Sequence, residues 1–231
     1  MIDLYTWTTP NGRKVSIMLE ELGVDYTTHA INIGAGEQQA PEFLAISPNN
    51  KMPAMVDHDG PDGGSYSLFE SGAILMYLAD KTGQLLPKNM AQRYDVIQWL
   101  MFQMGGIGPL LGQTHHFRIY APEPIPYAVD RYTNEAARLY GVMDRRLAEH
   151  EYLAGDYSIA DIACFPWLRR PERQGQSHDD FPNLKRWFDA IAARPAVQRG
   201  VEVLAEHQRS GAISAEAREN LFGNAQYTKR Q

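Results

Sequence analysis

The chain of 231 residues contains a single cysteine, Cys164. One cysteine excludes an internal disulfide and a CxxC redox pair, and it suits a reducing compartment. Long apolar runs are missing too. None approaches the roughly 20 residues that span a bilayer, and Met1-Ile2-Asp3-Leu4-Tyr5 lacks the charged and apolar regions of a secretory signal. A cytoplasmic location with no membrane partner is therefore expected. Positive charge is in deficit: 22 Lys and Arg stand against 28 Asp and Glu, a formal net charge of -6. Nucleic acid is not the expected partner, because its recognition needs a clustered basic surface, and no run of like charge forms a binding tail. What is plentiful is apolar surface. Hydrophobic residues make up 44% of the chain, enough for a sizeable core without covalent staples.

Local patterns divide the chain in two. Ile2 to Tyr5 reads as a first strand, Thr8 to Gly12 as a loop, and Lys14 to Leu22 as a helix with Val15, Met18, Leu19 and Leu22 on one face, stopped by Gly23. Tyr26 to Ile33 is a second strand and Pro41 to Ile46 a short helix. Met52 to Val56 and Tyr66 to Phe69 are two further strands, and a helix opens at Glu70-Ser71. The order is β-α-β-α-β-β-α. After Gly83 to Lys88 strand signals stop, and helical patterns occupy Ala91 to Phe102, Tyr127 to His150, Ile159 to Arg169, Leu184 to Ala193 and Ala196 to His207. A mixed half followed by an all-helical half argues for two domains: 1–82, then 90–207, with 208–231 as a polar surface extension.

Three short motifs carry chemistry. Met52-Pro53 precedes a strand, where proline is an ordinary entry residue. A cis peptide bond there would instead present the Met52 backbone to a peptide-like ligand. Phe69-Glu70-Ser71-Gly72 opens a helix, whose N-terminal N–H groups and dipole attract a carboxylate. The Ser71 hydroxyl adds a donor and Glu70 an acceptor for an ammonium group, so together they suit an amino-acid head group. Ser158-Ile159-Ala160-Asp161 is a capping-box arrangement flanked by Tyr157 and Ile162 as a hydrophobic staple. It reads as a structural device that starts a helix.

In their order, these features identify the chain with the cytosolic glutathione transferase superfamily over about residues 1 to 207. Ser47 to Ala54 (SPNNKMPA), Leu68 to Leu75 (LFESGAIL) and Tyr157 to Ala163 (YSIADIA) carry the resemblance. More narrowly, Thr9 to Gly12 (TPNG), Gly105 to Pro109 (GGIGP) and Gly112 to Phe117 (GQTHHF) resemble the nu class of glutathione-dependent disulfide-bond reductases, relatives of a fungal nitrogen regulator. The resemblance implies an α/β thioredoxin-like N-terminal domain plus an all-α C-terminal domain, glutathione as co-substrate, and a homodimer. It implies that Met52 pairs through its backbone with the cysteinyl part of glutathione, with Pro53 cis. Glu70 and Ser71 then hold the γ-glutamyl ammonium and carboxylate, Gln38 and Lys51 reach the glycyl end, and Arg131 contacts glutathione, from its own or from the partner subunit. As bare sequence, Gln38 and Arg131 also admit a reading as solvated surface side chains.

Most classes keep a Tyr, Ser or Cys after the first strand to stabilise the glutathione thiolate. Here Trp7 stands in the tyrosine position and Thr9-Pro10-Asn11 in the serine and cysteine region. A thiol begins near pKa 8.5 and only the thiolate attacks. A hydroxyl from Thr9 and an amide N–H from Asn11 are the candidate donors, aided by the helix dipole. Both residue types suit a turn and a helix cap as well. Cys164, among Ile162, Ala163 and Phe165, reads as buried and inert. His115-His116 is not read as a metal site, since adjacent residues on a helix diverge and no ligand cluster completes a set. Gly105, Gly106 and Gly108 are expected to bend a long helix. The pocket for the second substrate, a small disulfide or an electrophile, is expected around Phe102, His116, Phe117 and Trp167. Three functions remain open on sequence: a glutathione-dependent disulfide reductase acting on small disulfides, with peroxides as a further candidate substrate, a transferase conjugating glutathione to electrophiles, and a non-enzymatic glutathione-binding regulatory module.

Overall fold

The structure is a computed structural model and describes residues 1–208 and 213–224. Packing divides the chain into two compact units: Met1–Ile74 together with the described residues from Gly200 onward, and Leu75–Arg199. The boundaries expected from element type, 1–82 and 90–207, differ from this division. The packing boundary falls inside a helix, and the chain beyond Arg199 rejoins the first unit.

In the first unit, β1 (Ile2–Thr6) pairs in parallel with β2 (Tyr26–Ala30) and antiparallel with β3 (Ala54–Asp57), which pairs antiparallel with β4 (Tyr66–Phe69). The sheet order is β2-β1-β3-β4. Alternation is visible in β1, where Ile2, Leu4 and Thr6 are buried and Asp3 and Tyr5 half-exposed, as a period of two requires. Two strands are shorter than expected. Asn32 ends the second, its side chain accepting from Gly34 and Ala35 N–H in a turn of its own. Pro53 has no N–H for a ladder, so β3 begins one residue later.

Helix α1 (Pro10–Leu22) follows β1 and buries Val15, Ile17, Met18 and Leu19 completely. It starts with Thr9 as N-cap and Pro10 in the first turn, and ends at Gly23, φ 64°. There Gly23 N–H reaches Glu20 O and Val24 N–H reaches Leu19 O, a Schellman stop that satisfies the last carbonyls. Short α2 (Pro41–Leu44) and α3 (Ser71–Thr82) complete the β-α-β-α-β-β-α order. The chain returns to α1 through Gly200: Ser16 Oγ donates to Gly200 O at 2.6 Å, and a Cβ on Gly200 would lie 2.5 Å from Ile17 Cα.

The second unit is helical. α4 (Met90–Phe102), α5 (Gly108–His115), α6 (Pro126–Glu149), α7 (Ile159–Cys164) and α8 (Pro182–Ala192) pack with α4 on α7 and α6 between α5 and α8. A π-helical turn over Gln103–Ile107 joins α4 to α5, and another over His116–Tyr120 follows α5. The bend expected at Gly105, Gly106 and Gly108 thus takes the form of a π turn, the wider loop that glycines tolerate. α7 stops earlier than the expected Arg169, because Pro166 removes a helix donor and the chain tightens to a 3-10 turn over Phe165–Leu168. α9 (Pro195–Glu202) likewise ends before His207, where Leu204 turns to φ 59°. Beyond residue 207, a polar extension by expectation, α10 (Ala215–Phe222) buries Ala217 and ties Asn220 Nδ2 to Gly34 O at 2.8 Å.

The capping box is present in full. Ser158 accepts from Ala160 N–H, and Asp161 accepts from Ser158 N–H at 3.0 Å. Asp161 also accepts from Leu153 N–H at 3.0 Å and Trp187 Nε1 at 2.8 Å. One fully buried carboxylate therefore fastens the start of α7 to a preceding loop and to α8. Burial raises its pKa to about 6 against the opposing pull of those donors. No described helix is long and apolar enough to cross a membrane.

Candidate active site

The first unit brings the motifs of three separate segments around the opening turn of α1. Thr9 is the N-cap, extended at φ -113° and ψ 161°. Its Oγ1 accepts from Gly12 N–H at 3.2 Å and donates toward Met52 Sδ at 3.4 Å. The cap of α1 thus touches the Met52-Pro53 turn, whose peptide bond is cis. Asn11 occupies the second helical position, where the N–H projects from the end of the helix and lies outside its ladder. Gly12 lets this turn press onto the end of β1: a Cβ there would sit 2.4 Å from both Thr6 Oγ1 and Trp7 O. Tight packing of this kind explains the glycine and fixes the cap relative to the sheet.

Ser71 opens α3 and is buried, with Lys14 Nζ of α1 at 3.3 Å from its Oγ. Glu70 before it is exposed and has φ 69°. A left-handed non-glycine residue costs on the order of 1–2 kcal/mol, and such strain gathers where a side chain is being aimed. Gln38 is buried at 5% exposure, and among the described residues its Oε1 has no hydrogen-bond partner. That observation removes the reading of Gln38 as a solvated side chain. A buried, unsatisfied amide oxygen costs about 1–3 kcal/mol, so Gln38 suits a ligand N–H. Lys51 is exposed beside Asn50, itself at φ 48°.

Of the residues expected on the second-substrate side, all lie in the helical unit. Phe102 is half-buried, edge-on to Trp99 at 5.3 Å. His116 and Phe117 sit at the start of the second π turn in a T-shaped pair at 5.1 Å, and Phe117 stacks on Tyr132 at 5.4 Å. Trp167 is buried: it stacks on His115 at 6.0 Å and lies over Gly112, whose added Cβ would touch the ring at 3.5 Å. Arg131 is exposed on α6.

A buried polar network that the sequence did not reveal stands beside them. Gln174 accepts from Tyr140 OH at 2.6 Å, and its Nε2 donates to Trp167 O at 2.7 Å and to His115 Nε2 at 3.2 Å. His115 must then present a lone pair at Nε2, which assigns its proton to Nδ1. Burial, with Arg173 nearby, lowers its pKa to about 4, so the imidazole is neutral at physiological pH. The described residues include no group of three His, Cys, Asp or Glu able to hold a metal. Cys164 is buried.

Residues 1–80 match the glutathione S-transferase N-terminal domain, and residues 109–195 match the glutathione S-transferase C-terminal domain. The chain belongs to the glutathione S-transferase family. Among its relatives in the family is disulfide-bond oxidoreductase YfcG of Escherichia coli (strain K12), 52% identical over 198 residues that span 85% of this chain and 92% of YfcG. Two solved transferases share the fold. One from Pseudomonas putida, with one glutathione disulfide bound per subunit, has a TM-score of 0.85 at 48% identity, covering 88% of this chain and 91% of its own. One from Burkholderia graminis, with two glutathione molecules bound per subunit, has a TM-score of 0.84 at 50% identity and covers 88% of each chain. The thioredoxin-like sheet and the helical unit expected of a glutathione transferase are both present.

Proposed function

We propose that this chain is a glutathione-dependent disulfide-bond reductase, in which a bound glutathione thiolate attacks a small disulfide. The observation that carries this reading is the wiring of Thr9. Its acceptor side is taken by Gly12 N–H and its hydrogen faces a sulfur 3.4 Å away. A thioether is a weak acceptor, so a thiolate arriving beside Met52 takes over that hydrogen at little cost. Asn11, at the positive end of α1, is the second donor. Each lowers the thiol pKa by stabilising its charged form, one unit for about 1.4 kcal/mol.

The head group of glutathione is placed at Glu70 and Ser71, its cysteinyl part against Met52 and Pro53, and its glycyl end at Gln38 and Lys51. Arg131 is assigned to the glutathione as well, across a homodimer, and Phe102, His116, Phe117 and Trp167 to the disulfide side. In the first step the thiolate displaces one thiolate of the substrate disulfide and forms a mixed disulfide. A second glutathione thiolate attacks the glutathione sulfur of that intermediate and releases the other substrate thiolate. Two glutathione molecules become glutathione disulfide, and the substrate becomes two thiols. The ligands bound in the two related structures, two glutathiones in one and glutathione disulfide in the other, support such a cycle. Cys164 takes no part.

The test is a pair of initial rates with glutathione, one on a small dialkyl disulfide and one on an aryl halide. A disulfide rate at least about tenfold above conjugation, a difference of about 1.4 kcal/mol in barrier, is the expected result. The reverse ratio makes the protein a conjugating transferase. Tight glutathione binding with neither activity makes it a regulatory module.

A further inference from the structure

The loop that carries Gln38 has few side chains to hold it. Gly34-Ala35-Gly36 offers nothing longer than a methyl, and glycine loses more backbone freedom on ordering than any other residue. Asn32 closes the loop on itself. Its Oδ1 accepts from Gly34 and Ala35 N–H, and its N–H donates to Glu37 Oε2 at 2.6 Å. These bonds are local, and they shape the loop without orienting it. A tie from outside comes from α10. Asn220 Nδ2 donates to Gly34 O at 2.8 Å, and the same side chain lies over Gly36, where an added Cβ would be 3.4 Å from Asn220 Oδ1. Gly36, at φ 84°, directly precedes the 3-10 turn Glu37–Gln39 that carries Gln38. Ala217, three residues before Asn220 and so on the same side of α10, is fully packed. The helix itself starts from Ser214, whose Oγ accepts from Ala217 N–H at 3.1 Å.

We propose that Asn220 is a positioning residue for the glycyl end of glutathione, acting through the loop that aims Gln38; this rests on the glutathione reading above. An amide oxygen accepts hydrogen bonds and donates none. The buried Gln38 Oε1, with no partner among the described residues, therefore calls for an N–H. In glutathione the N–H of the glycyl residue is the donor at that end. A hydrogen bond weakens steeply away from about 2.9 Å and a near-linear angle, so a loop free to shift by about an ångström forfeits it. Asn220 grips the loop at Gly34 and Gly36, four and two residues before Gln38. An acceptor already in place spares the cost of ordering it when the ligand binds. The effect is confined to the glycyl N–H. The γ-glutamyl and cysteinyl parts are assigned to the start of α3 and the Met52-Pro53 turn, which this tie does not touch. α10 is thus an element of the binding site, joined to the Gln38 loop across 186 residues of sequence.

Two ligands and a double-mutant cycle separate this role from a purely structural one. Glutathione has the glycyl N–H, and γ-glutamylcysteine lacks it together with the glycyl residue. Dissociation constants for both are measured on the full chain: wild type, Gln38→Ala, Asn220→Asp, and the two substitutions combined. Asn220→Asp keeps the size of the side chain and replaces the N–H donor by an oxygen facing Gly34 O. The wild type is expected to prefer glutathione by about tenfold or more, the scale of a well-placed hydrogen bond. Gln38→Ala should lower that preference, and Asn220→Asp should lower it by about threefold or more while binding γ-glutamylcysteine as the wild type does. In the Gln38→Ala background Asn220→Asp should have no further effect, because two residues that act through one contact are not additive. An unchanged preference in Asn220→Asp, an equal loss on both ligands, or an Asn220→Asp effect that persists in full without Gln38 overturns the proposal. If Asn220→Asp does not fold, Asn220→Ala gives the same contrast, and failure of both to fold shows a structural role and also overturns it. Failure of the underlying reading looks different: the wild type then binds neither ligand or both equally, or Gln38→Ala leaves the preference intact.

Discussion

At the scale of single residues, Thr9 serves the fold and the proposed chemistry with the same hydroxyl. Its lone pair caps α1 and its hydrogen faces sulfur. Thr9→Ala is therefore expected to lower kcat/KM for disulfide reduction about tenfold and to cost about 1 kcal/mol in stability as a lost cap. Thr9→Ser should keep both. Steady-state rates and urea denaturation read the two effects, and full activity in Thr9→Ala removes Thr9 from the chemistry. His115 gives a prediction in pH. Its folded pKa, about 4, lies below its ordinary value of 6.5, so the unfolded chain binds more protons between these values. The stability it contributes is present above about pH 6.5 and lost as pH falls toward 4. Wild-type stability should drop about 2 kcal/mol more between pH 7 and pH 5 than that of His115→Gln. Equal drops would show that the imidazole is not held neutral by burial. Lys14 marks the limit of sequence reading at this scale. A lysine near the start of an amphipathic helix gives, by residue type, no sign of burial, yet the structure buries it with Nζ 3.3 Å from Ser71 Oγ. The signal that was available is its spacing of four from Met18.

Among the elements, the stop and start signals were the most legible features. Gly23 after α1 and the Ser158-to-Asp161 box before α7 act through local hydrogen bonds, which sequence spacing encodes directly. Asp161 has a second function that spacing does not encode: the indole of Trp187, 26 residues on, donates to it. Ser158→Ala, which removes the hydroxyl cap, should cost about 1 kcal/mol. Asp161→Ala should cost about 3 kcal/mol or more, because it strands several buried donors at once. Urea titration of both variants checks the order, and equal costs would reduce Asp161 to an ordinary cap. Helix α5 and its flanking π turns were not legible. Gly105, Gly106 and Gly108 read as a bend in a long helix, but their spacing does not say that the chain bends by widening its helical loop at Gln103–Ile107 and continuing.

For the whole molecule, element type and packing give different partitions. The switch from mixed to helical patterns was visible in sequence, but the return of the chain from Gly200 to the first unit was not, since it depends on contacts some 184 residues apart. Gly200 is where the return is tightest. Gly200→Ala should destabilise the protein by about 2 kcal/mol or more, because the added methyl meets the α1 backbone at Ile17. A thermally unchanged variant would show that the segment can shift away freely. The central claim, that glutathione provides all the reacting sulfur, has a direct test in Cys164→Ala, the chain without any thiol. The measurement is the rate of glutathione-disulfide formation from glutathione and a small dialkyl disulfide. A rate within about twofold of wild type is predicted, since a buried cysteine acts as a small apolar side chain. A folded Cys164→Ala variant with no turnover, beside an active wild type, would contradict the account.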